Sequence, residues 1–227
     1  MIHQLKKLFL LVVLPLLVLF LSLLVGSSQN IGFVELCQLI GLEVGIYIGD
    51  HNTVLKDNMD TILWQVRLPR ILLTFMVGAA LASSGGILQA IFRNPIVDPF
   101  TLGISSGSAF GAALAMLFPL LPVNISAFLF GVCAVGLTYF VSNAGLKTSI
   151  IGMVLAGMVI SGVFTAMLTL LQYISDPYKL QAIVQWTMGN LHTASWSKVQ
   201  QAFLPLTIGF GILSLLRSKL KLLALGD

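Results

Sequence analysis

Six long apolar runs, separated by shorter polar stretches, organise this chain. They are roughly Leu8–Val25, Leu68–Ile91, Leu102–Phe118, Ile125–Val141, Ile150–Tyr173 and Val199–Leu216. None alternates polar and apolar positions, so none reads as a strand of a membrane barrel. Each is close to the ~20 residues that cross a bilayer core as a helix. Inside lipid, every backbone N–H and C=O must bond within its own segment, which selects helix over irregular chain. The pattern predicts an all-α polytopic bundle of about six transmembrane helices, a single domain over residues 1–227. The longest polar stretch, Gly26 to Gln65, has room for a short interfacial helix over Ile31–Leu42. Pro95, Pro99, Pro119 and Pro122 mark tight turns between helices.

Composition narrows the class. Hydrophobic residues make up 57% of the 227 and charged residues 9%, against about 25% charged in a soluble domain. Too few polar groups exist to cover a water-facing surface, and disorder requires the opposite balance. Lys6 and Lys7 precede the first run as they would in a signal peptide. That run is longer than a usual signal core, and Val25-Gly26-Ser27 is a poor cleavage site, so it reads as a retained helix.

Charge then orients the bundle. With the N-terminus inside, the inner face holds Lys6, Lys7, Arg93, Lys147, Arg217, Lys219 and Lys221. The outer face holds Lys56, Arg67, Arg70, Lys179 and Lys198. The basic excess lies inside, as membrane insertion prefers, and both termini are expected in the cytoplasm. The net charge of +4 is scattered, without the basic cluster of a nucleic-acid binder. Cys133 lies in an apolar run and Cys37 outside one, so neither a disulfide nor a metal-ligand spacing is expected.

Candidate chemistry is sparse. Gly103-Ile104-Ser105-Ser106-Gly107 matches G-x-S-x-G, but no histidine lies in an apolar run: His3 is in the tail, and His51 and His192 are in polar stretches. A serine nucleophile needs a base in reach, so an intramembrane serine protease is a distant alternative. No phosphate loop is present, so ATP hydrolysis by this chain is not expected. No apolar run carries a carboxylate of the kind that marks a proton relay. Asp98, between Pro95 and Pro99, reads first as a turn cap.

Small residues recur at four-residue spacing at Gly78/Ala82/Gly86, Gly103/Gly107/Gly111 and Gly157/Ser161/Thr165. Such rows let helix backbones approach closely, or line a path that opens and closes. Arg67 and Arg70 flank Leu68-Pro69 at the mouth of the second run and are three apart, so they share one face. They serve as interfacial anchors or as a dock for acidic groups of a partner.

The stretch Arg67–Gly107 contains R-L-P-R, then V-G-A-A-L-A-x-S-G, then L-Q followed by N-P-I-V-D-P and L-G-I-S-S-G. It resembles the permease subunits of the FecCD-type family, the ABC importers of iron–siderophores, haem and cobalamin. Leu155–Met158, Gln185–Leu191 with Ser195-Trp196, and the terminal Leu223–Asp227 carry the same resemblance. It implies a transport protein of a prokaryotic inner membrane, with no cofactor and no catalysis of its own. Its implied partners are a second permease subunit as a homodimer, a cytoplasmic ABC ATPase and an extracytoplasmic substrate-binding protein.

The resemblance also assigns positions. Arg67 and Arg70 map to the binding-protein dock. Asn94, Pro95, Ile96 and Asp98, with Lys147, Thr148 and Ser149, map to the inner gate and its turns. Trp186, Met188 and Gly189 map to an outer loop near the pathway. Leu225, Gly226 and Asp227 map to the ATPase-proximal end. Family members continue beyond that point into coupling helices and four further helices. A truncated, non-functional remnant is therefore the alternative reading, beside a split permease or a fragment.

Overall fold

The computed structural model describes residues 9–24, 61–143 and 150–225, and every regular element among them is a helix. Helix α1 is Leu14–Leu24, entered through a π-helical turn at Phe9–Val13. Helix α2 is Leu68–Phe92, entered through a π-helical turn at Ile62–Arg67. A 3-10 turn at Phe100–Leu102 leads into α3, Ile104–Leu117. Then follow α4 (Val123–Asn143), α5 (Ile150–Ile174), α6 (Pro177–Met188) and α7 (Trp196–Leu225).

Six of these helices fall on the six apolar runs. Among the described residues, four stretches are long and apolar enough to cross a membrane: Ile62–Phe92, Val123–Asn143, Ile151–Ile174 and Trp196–Leu220. The described α1 and α3 are apolar but shorter, at 11 and 14 residues. A 14-residue helix is about 21 Å long, less than the ~30 Å hydrocarbon core. The expected Leu102–Phe118 span is shortened because Gly103 is left-handed, with φ 81°. A helix cannot run back through that conformation, so Leu102 ends a separate 3-10 turn.

Two features depart from the sequence pattern. Helix α6 was not expected, because it is too short and mixed to form an apolar run. Its start is nonetheless written locally: the Asp176 carboxylate accepts from Tyr178 N (3.1 Å) and Lys179 N (3.0 Å), and Pro177 takes the first turn. The second departure is at Pro69, expected at a helix start but preceded by six π-helical residues. Proline has no N–H to give Gln65, so the turn before it cannot close with ordinary spacing. Leu68 N instead donates to Leu63 O, five residues back.

The chain divides into two compact units, Met1–Ala79 with Leu191–Gly211, and Ala80–Asn190 with Ile212–Asp227. In the first, Leu63 is buried at 1% exposure and packs against Leu23, Leu24 and Trp64. The Trp196 indole Nε1 donates to Trp64 O at 2.9 Å, holding the start of α7 to the π-helical turn before α2.

In the second unit, α3 is the central element. A Cβ on Gly107 would lie 2.7 Å from Ala134 Cβ and from Phe130 O, and one on Gly111 would lie 2.6 Å from Ser126 O. These two glycines let the backbones of α3 and α4 touch. Two buried hydroxyls tie the contact: Ser126 Oγ donates to Gly111 O (2.7 Å) and Thr138 Oγ1 to Leu102 O (3.1 Å). Phe110, Ala134, Ile160 and Phe164 form the apolar centre, with the Phe110 ring edge-on to Phe130 at 5.1 Å. Thr138→Val keeps the shape and removes the donor. It is expected to lower the thermal midpoint in detergent, at a cost of about 1 kcal/mol; an unchanged midpoint would show that the hydroxyl carries no weight.

The rows of small residues now separate. A Cβ on Gly103 would lie 3.4–3.6 Å from Ile160, Ser161 and Gly157, so this row meets α5 only at Gly103, while Gly107 and Gly111 pack on α4. Thr165 stands outside that contact and bonds back to Ser161 O. Gly78 and Gly86 face open space, with nothing among the described residues within 4 Å of a Cβ built on either. The expected Ile31–Leu42 helix and Cys37 lie outside the described residues, and Cys133 is an exposed free thiol.

Candidate functional site

Three groups of sequence-identified residues can be placed. The first is the arginine pair. Arg67 closes the π-helical turn and is buried, at 7% exposure. Its NH1 donates to Leu23 O at 2.8 Å, bridging the start of α2 to the last described turn of α1. Arg70 is half-buried and donates from NH2 to His192 O at 3.1 Å. The two side chains do not present one shared surface: each is tied to a different segment. Arg67 is the last residue of the wide turn and Arg70 lies in the regular helix after it, so the two differ in what they reach and in how far they are buried. The His192 contact had no signal in the sequence beyond its place in a polar stretch.

The second group is the turn from Arg93 to Gly103. Helix α2 ends after Phe92 with Arg93 left-handed at φ 47°. Asn94 Oδ1 accepts from Ile96 N at 3.0 Å, and the Gln89 amide reaches forward to Pro95 O at 3.0 Å. Asp98 caps the next turn: its carboxylate accepts from Thr101 N (2.8 Å), while Thr101 Oγ1 donates to Asp98 O (2.7 Å). Phe92, Val97 and Leu102 are buried together beneath this loop, against Met153 and Val154 of α5. The loop is therefore braced from both sides, with Ile96 at its tip at 80% exposure. Gln89 and Thr101, which brace it, were not singled out in the sequence; Gln89 stands in the quoted L-Q pair.

Gly157 of α5 completes this site. A Cβ there would collide with Thr101 O and lie 3.1 Å from Leu102 Cα. The backbone of the loop thus rests directly on the backbone of α5. Lys147, Thr148 and Ser149, expected beside this turn, lie outside the described residues, as do Gly226 and Asp227; Leu225 is the last residue of α7.

The third group is at the end of α6. Ile183 is buried at 1% exposure, Trp186 is half-buried, and Met188 is 80% exposed. Gly189 ends the helix at φ 77°, with its N–H on Trp186 O at 3.1 Å. The serine of the G-x-S-x-G stretch lies in the first turn of α3, after a 3-10 turn and not a strand. It lacks the strand-to-helix elbow that exposes a catalytic serine. Among the described residues no cluster of His, Cys, Asp or Glu could hold a metal.

Comparison with known proteins adds the following. Residues 12–227 match the model of the FecCD transport family. The molybdate import system permease protein MolB of Haemophilus influenzae is 44% identical over 169 residues, 73% of this chain and 50% of that protein. A Helicobacter pylori protein assigned as an iron chelatin transport system permease is 41% identical over 177 residues, 78% of this chain and 54% of that protein. The fold also matches a solved inward-facing structure of a protein assigned as a metal-chelate type ABC transporter. There the TM-score is 0.76 and the identity 37%, covering 97% of this chain and 65% of the other. The chain spans about half the length of the curated relatives it matches.

Proposed function

The chain belongs to the FecCD transport family, and from that membership we propose that it acts as part of the membrane-embedded permease of an ABC importer for metal-containing ligands. The observation that carries this is the match over residues 12–227, on a fold whose described residues are helical and include four membrane-length apolar stretches. The proposed setting is a prokaryotic inner membrane, as one permease domain. The proposed partners are a second permease subunit, a cytoplasmic ATPase and an outer binding protein.

The site residues take roles within that reading. The braced loop at Asn94, Pro95, Ile96 and Asp98 is the inner gate, together with Lys147, Thr148 and Ser149. A gate must hold its shape against a partner's motion, and the Gln89, Thr101 and Gly157 contacts supply that rigidity. Arg67 and Arg70 belong to the outer docking face. Arg70 is the more accessible of the two, and Arg67 holds α2 against α1. Trp186, Met188 and Gly189 form the outer loop by the path, and Leu225, Gly226 and Asp227 lead toward the ATPase.

The relatives' names divide the ligand question between an oxyanion, molybdate, and an iron chelate. Apart from Arg70 at the start of the second, the apolar runs carry no charged side chain, so they offer neither cations for an oxyanion nor acids for a bare metal ion, which favours bulky chelated ligands of iron, haem or cobalamin type recognised by shape. The test is uptake of labelled iron–siderophore, haem, cobalamin and molybdate in a deletion strain. The strain is complemented with this chain alone or with its genomic neighbours. Restored uptake of a chelate, and not of molybdate, is expected with the neighbours present. Restoration of molybdate alone would overturn the chelate assignment, and restoration of none would favour the remnant reading.

A further inference from the structure

An apolar crevice of about 510 Å³ lies between α1 and the start of α2, within the range of small-ligand pockets. Leu14, Val18 and Leu19 wall one side; Ile71 and Phe75 wall the other, with Arg70 at one end. Leu14, Val18 and Phe75 are exposed on helices of strongly apolar sequence. The crevice has three polar side chains, and two are already occupied. Ser22 donates to Val18 O and Thr74 to Arg70 O, each at 2.7 Å within its own helix.

The third is Arg70. Its NH2 is on His192 O, but its Nε is buried with no hydrogen-bond partner. Arg70 makes no ion pair among the described residues. A guanidinium with an unused buried N–H is under-satisfied, and its fork suits a phosphate. Phe75 lies five residues further along α2, about 7.5 Å deeper by helical rise. The complementary ligand therefore has an anion at one end and hydrocarbon at the other.

We infer that this crevice binds a net-anionic phospholipid, its phosphate on Arg70 and an acyl chain against Val18, Leu19, Ile71 and Phe75. An acidic peptide would satisfy the cation but leave the apolar walls uncovered; a lipid does both. Only the choice of leaflet, the outer one, depends on the proposed transport topology.

The test uses the purified full chain in mild detergent, with native mass spectrometry and thermal melting. Phosphatidylglycerol is compared with phosphatidylcholine, and with glycerol phosphate as a headgroup without tails. Phosphatidylglycerol is expected to stay bound and raise the melting midpoint, phosphatidylcholine less so, and glycerol phosphate not at all. Arg70→Gln should weaken phosphatidylglycerol binding by about tenfold, the loss of one charge-assisted contact. Leu19→Trp, which fills the crevice and keeps the arginine, should weaken it too. Mass spectrometry reads binding directly, so a lower starting stability of either variant leaves the result decisive.

Equal retention of both phospholipids by the wild type, or undiminished binding by Arg70→Gln, would overturn the inference. So would glycerol phosphate acting as well as the whole lipid, which marks a free-anion site, or a dimer whose formation excludes the lipid. No binding protein is present in this assay, so its failure leaves the docking role of the arginines standing.

Discussion

Replacing Gly157 by alanine is expected to cost about 3 kcal/mol of stability, the upper end of what overpacking does. The reason is the identity of the atoms a Cβ would meet. They are Thr101 O and the Thr101–Leu102 backbone, not the far end of a side chain that could swing aside. To make room, α5 must move from the loop, and that loop is fixed by Gln89 to Pro95 O and by the Asp98–Thr101 cap. Its underside is filled by Val97 and Leu102, buried at 1% and 6% exposure. The displacement would therefore spread into the turn that carries Ile96. Gly162, on the same helix, is the control: nothing lies within 4 Å of a Cβ built there. Gly162→Ala should be neutral, or stabilising by up to about 1 kcal/mol through helix propensity. Thermal melting of the purified variants in detergent, with thiol labelling of Ile96→Cys in a background with Cys37→Ser and Cys133→Ser, reads both effects. A Gly157→Ala protein that melts with Gly162→Ala and labels like its parent would show that the two backbones do not touch.

That contrast also marks what the sequence could and could not say. Apolar runs locate helices because lipid leaves the backbone no other satisfied state, and the six runs matched six helices. The same criterion passed over α6, whose start depends on Asp176 and Pro177 and not on a run. It also overran the start of α3, because continuity of apolar side chains does not register a left-handed Gly103. The rows of small residues announced close packing but not with what. Gly103 meets the Gly157 row, Gly107 and Gly111 meet α4, and Gly78 and Gly86 face open space. In the candidate gate, Asp98 was legible as a cap because an acid between two prolines has few other local uses. Gln89 and Thr101 were not, since a polar side chain that braces a loop has no signature apart from the loop's shape. The arginine pair was legible as a pair and misleading as a surface. Spacing by three sets where two side chains start but not where each ends: Arg67 is buried on Leu23 O, while Arg70 reaches His192 O.

Arg67→Met is expected to destabilise the first unit by about 2 kcal/mol, while Arg70→Glu leaves its stability nearly unchanged and weakens docking. The two arginines make one motif, but their surroundings divide the work. Arg67 is 7% exposed, and its guanidinium carries a hydrogen bond to Leu23 O across 44 residues of sequence. Hydrogen bonds from a charged donor contribute about 1.5–3 kcal/mol. Methionine fills similar volume and removes the cost of burying a charge, which offsets part of the loss. It also leaves the Leu23 carbonyl without that donor, and this is why a net loss is expected. Arg67→Lys should fall between the two, because an ammonium can reach one carbonyl but lacks the planar fork. Arg70 is half-buried and bonded to a main-chain carbonyl. Reversing its charge should act on association with an acidic partner, most strongly at low salt, where surface charges are least screened. Melting midpoints of the purified variants, with binding-protein affinity measured at two ionic strengths in reconstituted discs of neutral lipid, separate the two roles. If Arg67→Met melts with the wild type and loses docking in a salt-dependent way, Arg67 is a docking group after all, and the strut assigned to it here is wrong.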